Sequence, residues 1–520
     1  MKVAKSCSQC RQAKRRCTAS APPEPRCLQC LTRHQRCSWS LNRSVGHPKP
    51  LLADTFSKDV PPLYHSVRVT LVEDDVRDEL VELYLKLVHD KPHTLFHPVV
   101  LKTRIRDGSL PRATLYSILA FAARFSRIQG TREMVKELFQ SAKDCVKMSI
   151  DDICLDNVHA TILVGNLCGA NGDASGEALY FGIAFRMAQI LRLPEPAAED
   201  DGITIESKLR TWWSLYMIDQ WSSAGLNIPR QIQDTNKFRL PMPELVFQNL
   251  TPGQAIDSDV QTHRPGLWGY MVILVKTFGH IQHLHRQLAD GTLDDSGTES
   301  ATRQLANELD SFIQYLPIDL QLTNANMKRH ATLGIGRAFV ALHLGYHHYA
   351  TLLYFPYLGT QLSHVPDHEL FASRCKHHAV ALSDLLKSSD ETESCEALYF
   401  IVAHMTVTSS SALLHTLLFG QEKELFDTKR RLYYNFQILL RLKSYWPGVD
   451  LMIERLFTFQ KACMLSMDRI YTVDKWIVKF LLQHALPIEG NLGPPATSRL
   501  AERDKFASDA LSMLRPKAAG

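Results

Sequence analysis

The sequence predicts a mostly α-helical protein in which a small cysteine-rich module precedes a large all-α body. Six of the twelve cysteines lie within 31 residues near the start of the chain. From about residue 70 onward, no sustained period-2 segments and no Val/Ile-rich runs bounded by turns indicate strands. Apolar residues recur there at helical spacing instead, as in Leu179, Ile183, Met187 and Ile190.

The composition of the 520 residues, 45% hydrophobic and 22% charged, is ordinary for a globular protein. It excludes a mostly disordered, collagen-like or disulfide-dense secreted chain. The charge is unevenly distributed, because residues 1–50 (hereafter the head) contain 11 Lys and Arg residues and one acid, whereas the other 470 contain 48 and 53. A basic head on a mildly acidic body favours nucleic acid or another polyanion as the partner of the head.

The first ten residues, MKVAKSCSQC, contain no apolar stretch, so we expect no secretory signal and a reducing compartment. In such a compartment the clustered cysteines are better explained as metal ligands than as disulfides. The six other cysteines are scattered through apolar segments and are expected to be buried core thiols. They are Cys145, Cys154, Cys168, Cys375, Cys395 and Cys463.

The clustered cysteines repeat one spacing twice, C-x2-C-x6-C, with nine residues between the halves. One tetrahedral zinc takes four thiolates and leaves two over, whereas two zincs need eight metal–sulfur bonds. Six cysteines supply eight bonds only if two of them bridge, and the repeat makes the first cysteine of each half, Cys7 and Cys27, the natural bridging pair. A four-cysteine zinc knuckle with two spare thiols and a purely structural zinc clip are the alternatives. The predicted ligands of two Zn²⁺ ions are Cys7, Cys10, Cys17, Cys27, Cys30 and Cys37.

The segment CSQCRQAKRRCTASAPPEPRCLQCLTRHQRC resembles the zinc binuclear cluster (Zn2Cys6) of fungal transcription factors. Arg11 and Lys14 match the basic residue after the second cysteine and the lysine three positions later, and Pro25 matches the proline before the fourth cysteine. The resemblance implies two short helix–strand halves folded around zinc, with a first helix from about Ser8 to Arg16. A module of about 35 residues has too little apolar surface to fold alone, so metal binding would supply the folding free energy.

The same resemblance implies contacts to double-stranded DNA. Lys14 is expected to read a guanine edge of a CGG-like triplet in the major groove. Arg11 and Arg15, four positions apart, would lie on one helical face beside Lys14. The residues expected to contact phosphates, which position the module without selecting sequence, are Arg11, Arg15, Arg16, Arg33 and Arg36.

Two segments of the body, 176–196 and 206–241, resemble the fungal-specific transcription factor domain. Trp212, Tyr216 and Asp219 share one helical face, which predicts a packing stripe that ends in a polar anchor. Gln220 departs from the basic residue usual after that aspartate, and this predicts the loss of a local ion pair. The matching positions are Arg210, Trp212, Trp213, Tyr216, Asp219, Gly225, Pro229, Leu240 and Pro241.

We expect four regions: a Zn2Cys6 DNA-binding domain at 1–43, a linker at 44–70, the fungal-specific transcription factor domain at 71–350, and a C-terminal helical regulatory region at 351–520. The only coiled-coil candidate covers under two heptads and is better explained as the first helix of the body, so the sequence leaves monomer and homodimer open. That candidate consists of Val76, Leu80, Leu83 and Leu87.

Patterns typical of enzymes and membrane proteins are weak. His343 and His347 lack the glutamate that a zinc hydrolase needs between them, so they are interpreted as surface or core histidines. The glycines of segment 165–176 match neither a dinucleotide fingerprint nor a P-loop and are interpreted as a helix–helix turn. The uncharged run 397–421 contains Ser, Thr and His, which favours a buried core helix over a membrane span.

The resemblance therefore implies a nuclear, sequence-specific transcription factor that acts on RNA polymerase II genes and is not an enzyme. Its expected partners are DNA and the transcription machinery, and no membrane association is expected. A metabolic or biosynthetic gene set is a family-level expectation. Two rival interpretations remain. One is a metabolite-sensing or enzymatic helical protein that uses the zinc head as a non-specific polyanion tether, and the other is an interaction scaffold with generic polyanion binding.

Overall fold

The fold is seen in a computed structural model. It describes residues 10, 14–18, 27–33, 72–90, 93–234, 237–256, 264–359, 362, 364–465, 475–488, 508 and 511–514. Cys7, Arg11, Arg36 and Cys37 lie outside these residues. The chain divides into two compact units, Met1–Ser66 and Val67–Gly520.

The described residues are mostly helical and contain no strand, which confirms the predicted all-α body. The strand portions expected in the head are not observed among them. In chain order the helices are α1 (Leu28–Leu31), α2 (Asp74–Leu87), α3 (Pro98–Arg106), α4 (Arg112–Ala122), α5 (Val135–Met148), α6 (Leu155–Ala170), α7 (Ala174–Ile190), α8 (Gly202–Leu226), α9 (Glu244–Gln248), α10 (Leu267–Ala289), α11 (Asp295–Gln314), α12 (Asn324–Thr332), α13 (Gly336–Tyr354), α14 (His368–Asp390), α15 (Val402–Phe419), α16 (Glu422–Tyr445), α17 (Val449–Leu465) and α18 (Lys475–Leu482).

One large hydrophobic core joins these helices from α2 to α18. The expected domain boundary at residue 350 falls inside α13, whose side chains are buried along its whole length. The coiled-coil candidate lies in α2, where Leu80 is fully buried and its three companions pack partly buried against the core. The interpretation of α2 as the first helix of the body is confirmed. Of the scattered cysteines, four are buried as predicted, and Cys145 and Cys154 are half-buried.

Helix α8 carries a buried charged network. Arg210 and Glu206 are almost completely buried and lie 2.9 Å apart (Nε to Oε1). Arg210 also donates to the hydroxyl of Thr94 (3.0 Å) and to the carbonyl of Met242 (2.6 Å), and its guanidinium lies over the ring of Phe247. Because the bonds to Thr94 and Met242 lead to two different segments, the pair ties α8 to the chain before α3 and to the chain before α9.

The polar anchor predicted at Asp219 is confirmed. Its carboxylate accepts hydrogen bonds from the backbone amides of Gln231 (2.9 Å) and Ile232 (2.8 Å) and holds the segment after α8 in place. The predicted loss of a local ion pair at Gln220 stays a prediction. Nearby, the guanidinium of Arg230 pairs with the carboxylate of Asp234 at 2.7 Å.

In the glycine-containing segment 165–176, only residues 171–173 form a turn, and Gly172 has a φ of 80° there. The prediction of a turn over the whole segment is wrong, because its other glycines lie inside α6 or α7. A Cβ atom at Gly165 would lie 2.6 Å from the ring of Phe181, and one at Gly169 would lie 2.6 Å from Oε2 of Glu177. The glycines therefore allow α6 and α7 to pack closely.

This close packing also decides which face of α7 is buried. Along the apolar stripe of α7, Leu179 and Ile190 are 59% and 54% exposed, and Met187 is buried. Phe181 and Phe185 are also buried, and the ring of Phe181 lies against Gly165 of α6. The periodicity of the sequence indicated a helix correctly, but two faces of α7 are apolar and the partner helix selects between them.

The histidines and the uncharged run belong to the core. His343 donates from Nε2 to the carbonyl of Leu320 (2.9 Å), and burial lowers the pKa of its imidazole to about 4. His347 lies 3.0 Å from His378 between ring nitrogens. The run 397–421 contains α15, which is buried, and its hydroxyl groups bond to backbone carbonyls, as Thr406 does to Val402 (2.7 Å). Across the described residues, none of the helices is both long and apolar enough to span a bilayer.

Trp213 and Trp212 form a matched pair for testing the packing of α8. The Trp213 ring is 1% exposed and its Nε1 donates to the carbonyl of Arg239 (2.9 Å), whereas Trp212 is half-buried against Phe238. We expect Trp213→Ala to lower the free energy of unfolding by about 3–5 kcal/mol and Trp212→Ala by clearly less, because more cavity is created at the buried site. Urea denaturation followed by circular dichroism measures both. Equal losses would contradict this assignment of the core face.

A second prediction concerns Glu177. Burial raises the pKa of its carboxyl from 4.5 to about 7, so the folded protein keeps this proton to a higher pH than the unfolded chain. Stability from Glu177 is therefore present at low pH and lost as pH rises through about 7. Between about pH 5 and pH 8, wild type should lose about 2–3 kcal/mol relative to Glu177→Gln, which has no proton to lose. Parallel slopes of denaturation free energy against pH for the two proteins would refute it.

Candidate metal centre and nucleic-acid interface

Three thiols of the head converge. The Sγ atoms of Cys10, Cys17 and Cys27 all lie within 4.8 Å of one another, and those of Cys10 and Cys27 are 3.6 Å apart. Backbone bonds place them, because the amide of Leu28 donates to the carbonyl of Thr18 at 2.9 Å. That bond joins the residue after Cys17 to the residue after Cys27.

This arrangement fits a tetrahedral metal ion. With metal–sulfur bonds of about 2.3 Å, the sulfurs of a Zn–thiolate tetrahedron are separated by about 3.8 Å, close to the distance between Cys10 and Cys27. Cys30 is also buried, in α1, where its amide donates to the carbonyl of Cys27 (3.1 Å). The buried side chains of the described head are those of cysteines alone, so a metal rather than apolar packing would have to fill its interior.

The structure brings together three of the four cysteines that the repeat assigns to one zinc. Cys30 belongs to the second predicted set, which also contains Cys7, Cys27 and Cys37. The bridging role of Cys7 and Cys27 stays a prediction, because Cys7 and Cys37 lie outside the described residues.

The first helix of the head was expected to extend to about Arg16, but the structure shows that it ends earlier. Lys14 has a φ of 45°, in the left-handed region, so an α-helix cannot continue through it to Arg16. The amide of Arg15 donates to the carbonyl of Cys10 at 2.9 Å, the six-residue closure typical of a helix C-terminus. Arg15 follows the left-handed residue and lies beyond the end of that helix, whereas Arg11, the other member of the expected stripe, lies outside the described residues.

The described basic residues of the head are all exposed. They are Lys14, Arg15, Arg16 and Arg33, and none of these four side chains pairs with an acid of the described chain. Lys14 lies on the turn that the bond between Arg15 and Cys10 closes. Its side chain therefore extends from the end of a helical segment rather than from the side of a helix. Spacing alone missed this turn, since a left-handed lysine has no sequence signature comparable to glycine.

Comparisons with known proteins agree with the motifs. Residues 81–276 match the family described as the fungal specific transcription factor domain. An uncharacterized transcriptional regulatory protein of Schizosaccharomyces pombe is 23% identical over 339 residues, which cover 58% of this chain and 33% of that protein. A Zn(2)-C6 fungal-type transcription factor of Fusarium oxysporum is 20% identical over 452 residues, covering 78% and 48%. The citrinin biosynthesis transcriptional activator of Monascus ruber is 26% identical over 339 residues, covering 56% and 65%.

These comparisons confirm the resemblance to fungal zinc binuclear cluster transcription factors. The names of the family and of these relatives are those of transcription regulators, not of enzymes. The matched part of the chain covers only 33% and 56% of the length of the first two relatives. The activity of each whole relative is therefore a statement about that longer protein.

Proposed function

From a chain that resembles fungal zinc binuclear cluster transcription factors, with a fungal specific transcription factor domain at residues 81–276, we infer a nuclear, sequence-specific regulator of RNA polymerase II genes. Its head binds double-stranded DNA, and its helical body carries the regulatory contacts to the transcription machinery. The observation that carries this proposal is the convergence of three thiols in a basic head that displays Lys14 and three arginines. A biosynthetic gene set is the proposed target, by analogy with the citrinin activator.

The head holds two zinc ions in this proposal. Six thiolates and two Zn²⁺ ions leave a net charge of −2, and the surrounding lysines and arginines help to keep the thiolates ionised. Zinc supplies the folding free energy of the head as a structural ion. Cys10, Cys17 and Cys27 would hold the first ion together with Cys7, and Cys27 and Cys30 would belong to the second.

Recognition of base edges and contacts to phosphates are assigned to different side chains. Lys14, on the left-handed turn between Cys10 and Cys17, would donate to the O6 or N7 atom of a guanine in the major groove. Arg15, Arg16 and Arg33 are exposed on the described head and would contact phosphates, together with Arg11 and Arg36. A head that only tethers the chain to polyanions, the rival interpretation, would make no such distinction between lysine and arginines.

Zinc content tests the metal centre. We expect elemental analysis of the full chain to find two zincs per chain, because eight metal–sulfur bonds are shared among six thiolates. Cys7→Ser or Cys27→Ser should remove both ions, whereas Cys10→Ser should weaken one more than the other. Cys463→Ser, at a buried thiol of the body, is the control and should keep both. One zinc together with two head thiols that react with iodoacetamide in the native protein would rule out the bridged cluster.

Binding isotherms test the reading assignment. Lys14→Ala should cost about 1–3 kcal/mol on a site selected from random DNA and should flatten the preference at the triplet, because base edges differ between sequences. Arg33→Ala should weaken selected and scrambled DNA nearly equally and reduce the salt slope by about one unit, because phosphates do not differ.

Both variants should be measured on both DNAs at several salt concentrations. If Lys14→Ala lowers the affinity for selected and scrambled DNA by the same factor, Lys14 is a phosphate contact. A wild-type head that shows salt-sensitive binding without any sequence preference would favour the polyanion tether.

A further inference from the structure

The body encloses a cavity of about 160 Å³ between α6, α7, α8, α10 and α13. A cavity of about 150 Å³ lined by apolar side chains is large enough to hold benzene in a protein interior. The space in this body is therefore sufficient for one aromatic ring with a short substituent. Nothing in the zinc or DNA chemistry of the head uses it.

Aromatic side chains dominate the wall. Phe181, Trp221, Trp268, Tyr349 and Tyr399 all line the cavity. Trp221 is fixed by a hydrogen bond from its Nε1 to the hydroxyl of Tyr349 (3.0 Å). The negative faces of such rings attract a desolvated cation.

The charged residues of the wall are acids. Among the described residues that line the cavity there is no lysine or arginine, and the two carboxylates are Glu177 and Asp90. Asp90 already lies 3.3 Å from the imidazole of His89. An anionic ligand would therefore meet like charge without a compensating lysine or arginine, whereas a cationic ligand would find an acid that can pair with it.

Glu177 has the geometry to form that pair. Its Oε1 accepts a hydrogen bond from the hydroxyl of Ser222 (2.9 Å), and both residues line the cavity. Its Oε2 accepts no hydrogen bond from the described residues. Gly169 leaves room for this oxygen, since a Cβ there would lie 2.6 Å from it. One oxygen is thus held by the protein and the other is available to a ligand.

We propose that this cavity is a binding site for a small aromatic amine, whose ammonium group pairs with Glu177 and whose ring packs among the aromatic side chains. A buried ammonium needs a paired anion, and Glu177 provides it without disturbing its bond to Ser222. The site uses none of the residues proposed to bind zinc or DNA, so the amine-binding proposal and the DNA-binding proposal are tested separately.

Three probes of nearly equal shape and different charge test the site on the full, zinc-loaded chain. They are benzylamine, benzyl alcohol and benzoate, measured by calorimetry and by tryptophan fluorescence at about pH 8, where the Glu177 carboxyl is mostly ionised. We expect saturable binding of benzylamine, roughly tenfold or more tighter than benzyl alcohol, and no binding of benzoate. Benzoate binding as tight as that of benzylamine, or no saturable binding of any probe, would overturn the proposal.

Variants separate the carboxylate from the cavity. Glu177→Gln keeps the shape of the side chain and should remove the roughly tenfold advantage of benzylamine while leaving benzyl alcohol binding unchanged. Ala341→Leu, which fills the space from α13, should abolish binding of both. Glu82→Gln, at an exposed carboxylate paired with Lys102, is the matched control and should change neither. Unchanged benzylamine affinity in Glu177→Gln would refute the ion pair, and the comparison of probes on wild type decides the case if a variant does not fold.

Discussion

The body depends on one buried ion pair, Arg210 with Glu206. Removing two charges from water is costly, and the cost is offset only when every remaining donor and acceptor finds a partner. Here the partners belong to distant parts of the chain, the hydroxyl of Thr94 and the backbone of Met242, which both donates to Glu206 and accepts from Arg210. These segments cannot separate without leaving a donor of Arg210 or an acceptor of Glu206 without its hydrogen bond in the core. The orientation of α8 follows from that constraint, and with it the placement of Trp213, Asp219 and Trp221.

The two units are stabilised by different means. The body buries a continuous set of apolar side chains from α2 to α18 and needs no ion to do so. The described part of the head buries thiols instead, and among its described residues Cys10, Cys27 and Cys30 pack only with one another and with Cys17. Hydrophobic burial grows with chain length, so a large body can rely on it and a cysteine module of about 35 residues cannot. The proposed two-zinc cluster therefore lies in a unit whose folding depends on metal. The proposed amine site lies in a unit whose folding depends on apolar burial, and its wall is mostly aromatic.

A local sequence pattern does not determine which face of a helix is buried or how closely two helices pack. Helical spacing predicts α7, but only packing decides that Leu179 and Ile190 are exposed while Phe181 lies against Gly165 of α6. The glycines of segment 165–176 looked like a turn because glycine favours turns, whereas most of them serve a close helix contact.

The residue types and their spacing were enough to predict an all-α body, a doubled cysteine repeat with ligand spacing, and a basic head, because each depends on covalent order and side-chain chemistry. Three-dimensional packing alone decided which thiols meet, that the first helix of the head ends before Lys14, and that Glu177 faces an aromatic cavity. Those features join residues far apart in the chain, or a backbone conformation that lysine rarely adopts. A linear pattern carries no information about such distances, since they arise only when the helices pack and every buried polar group has to find its partner.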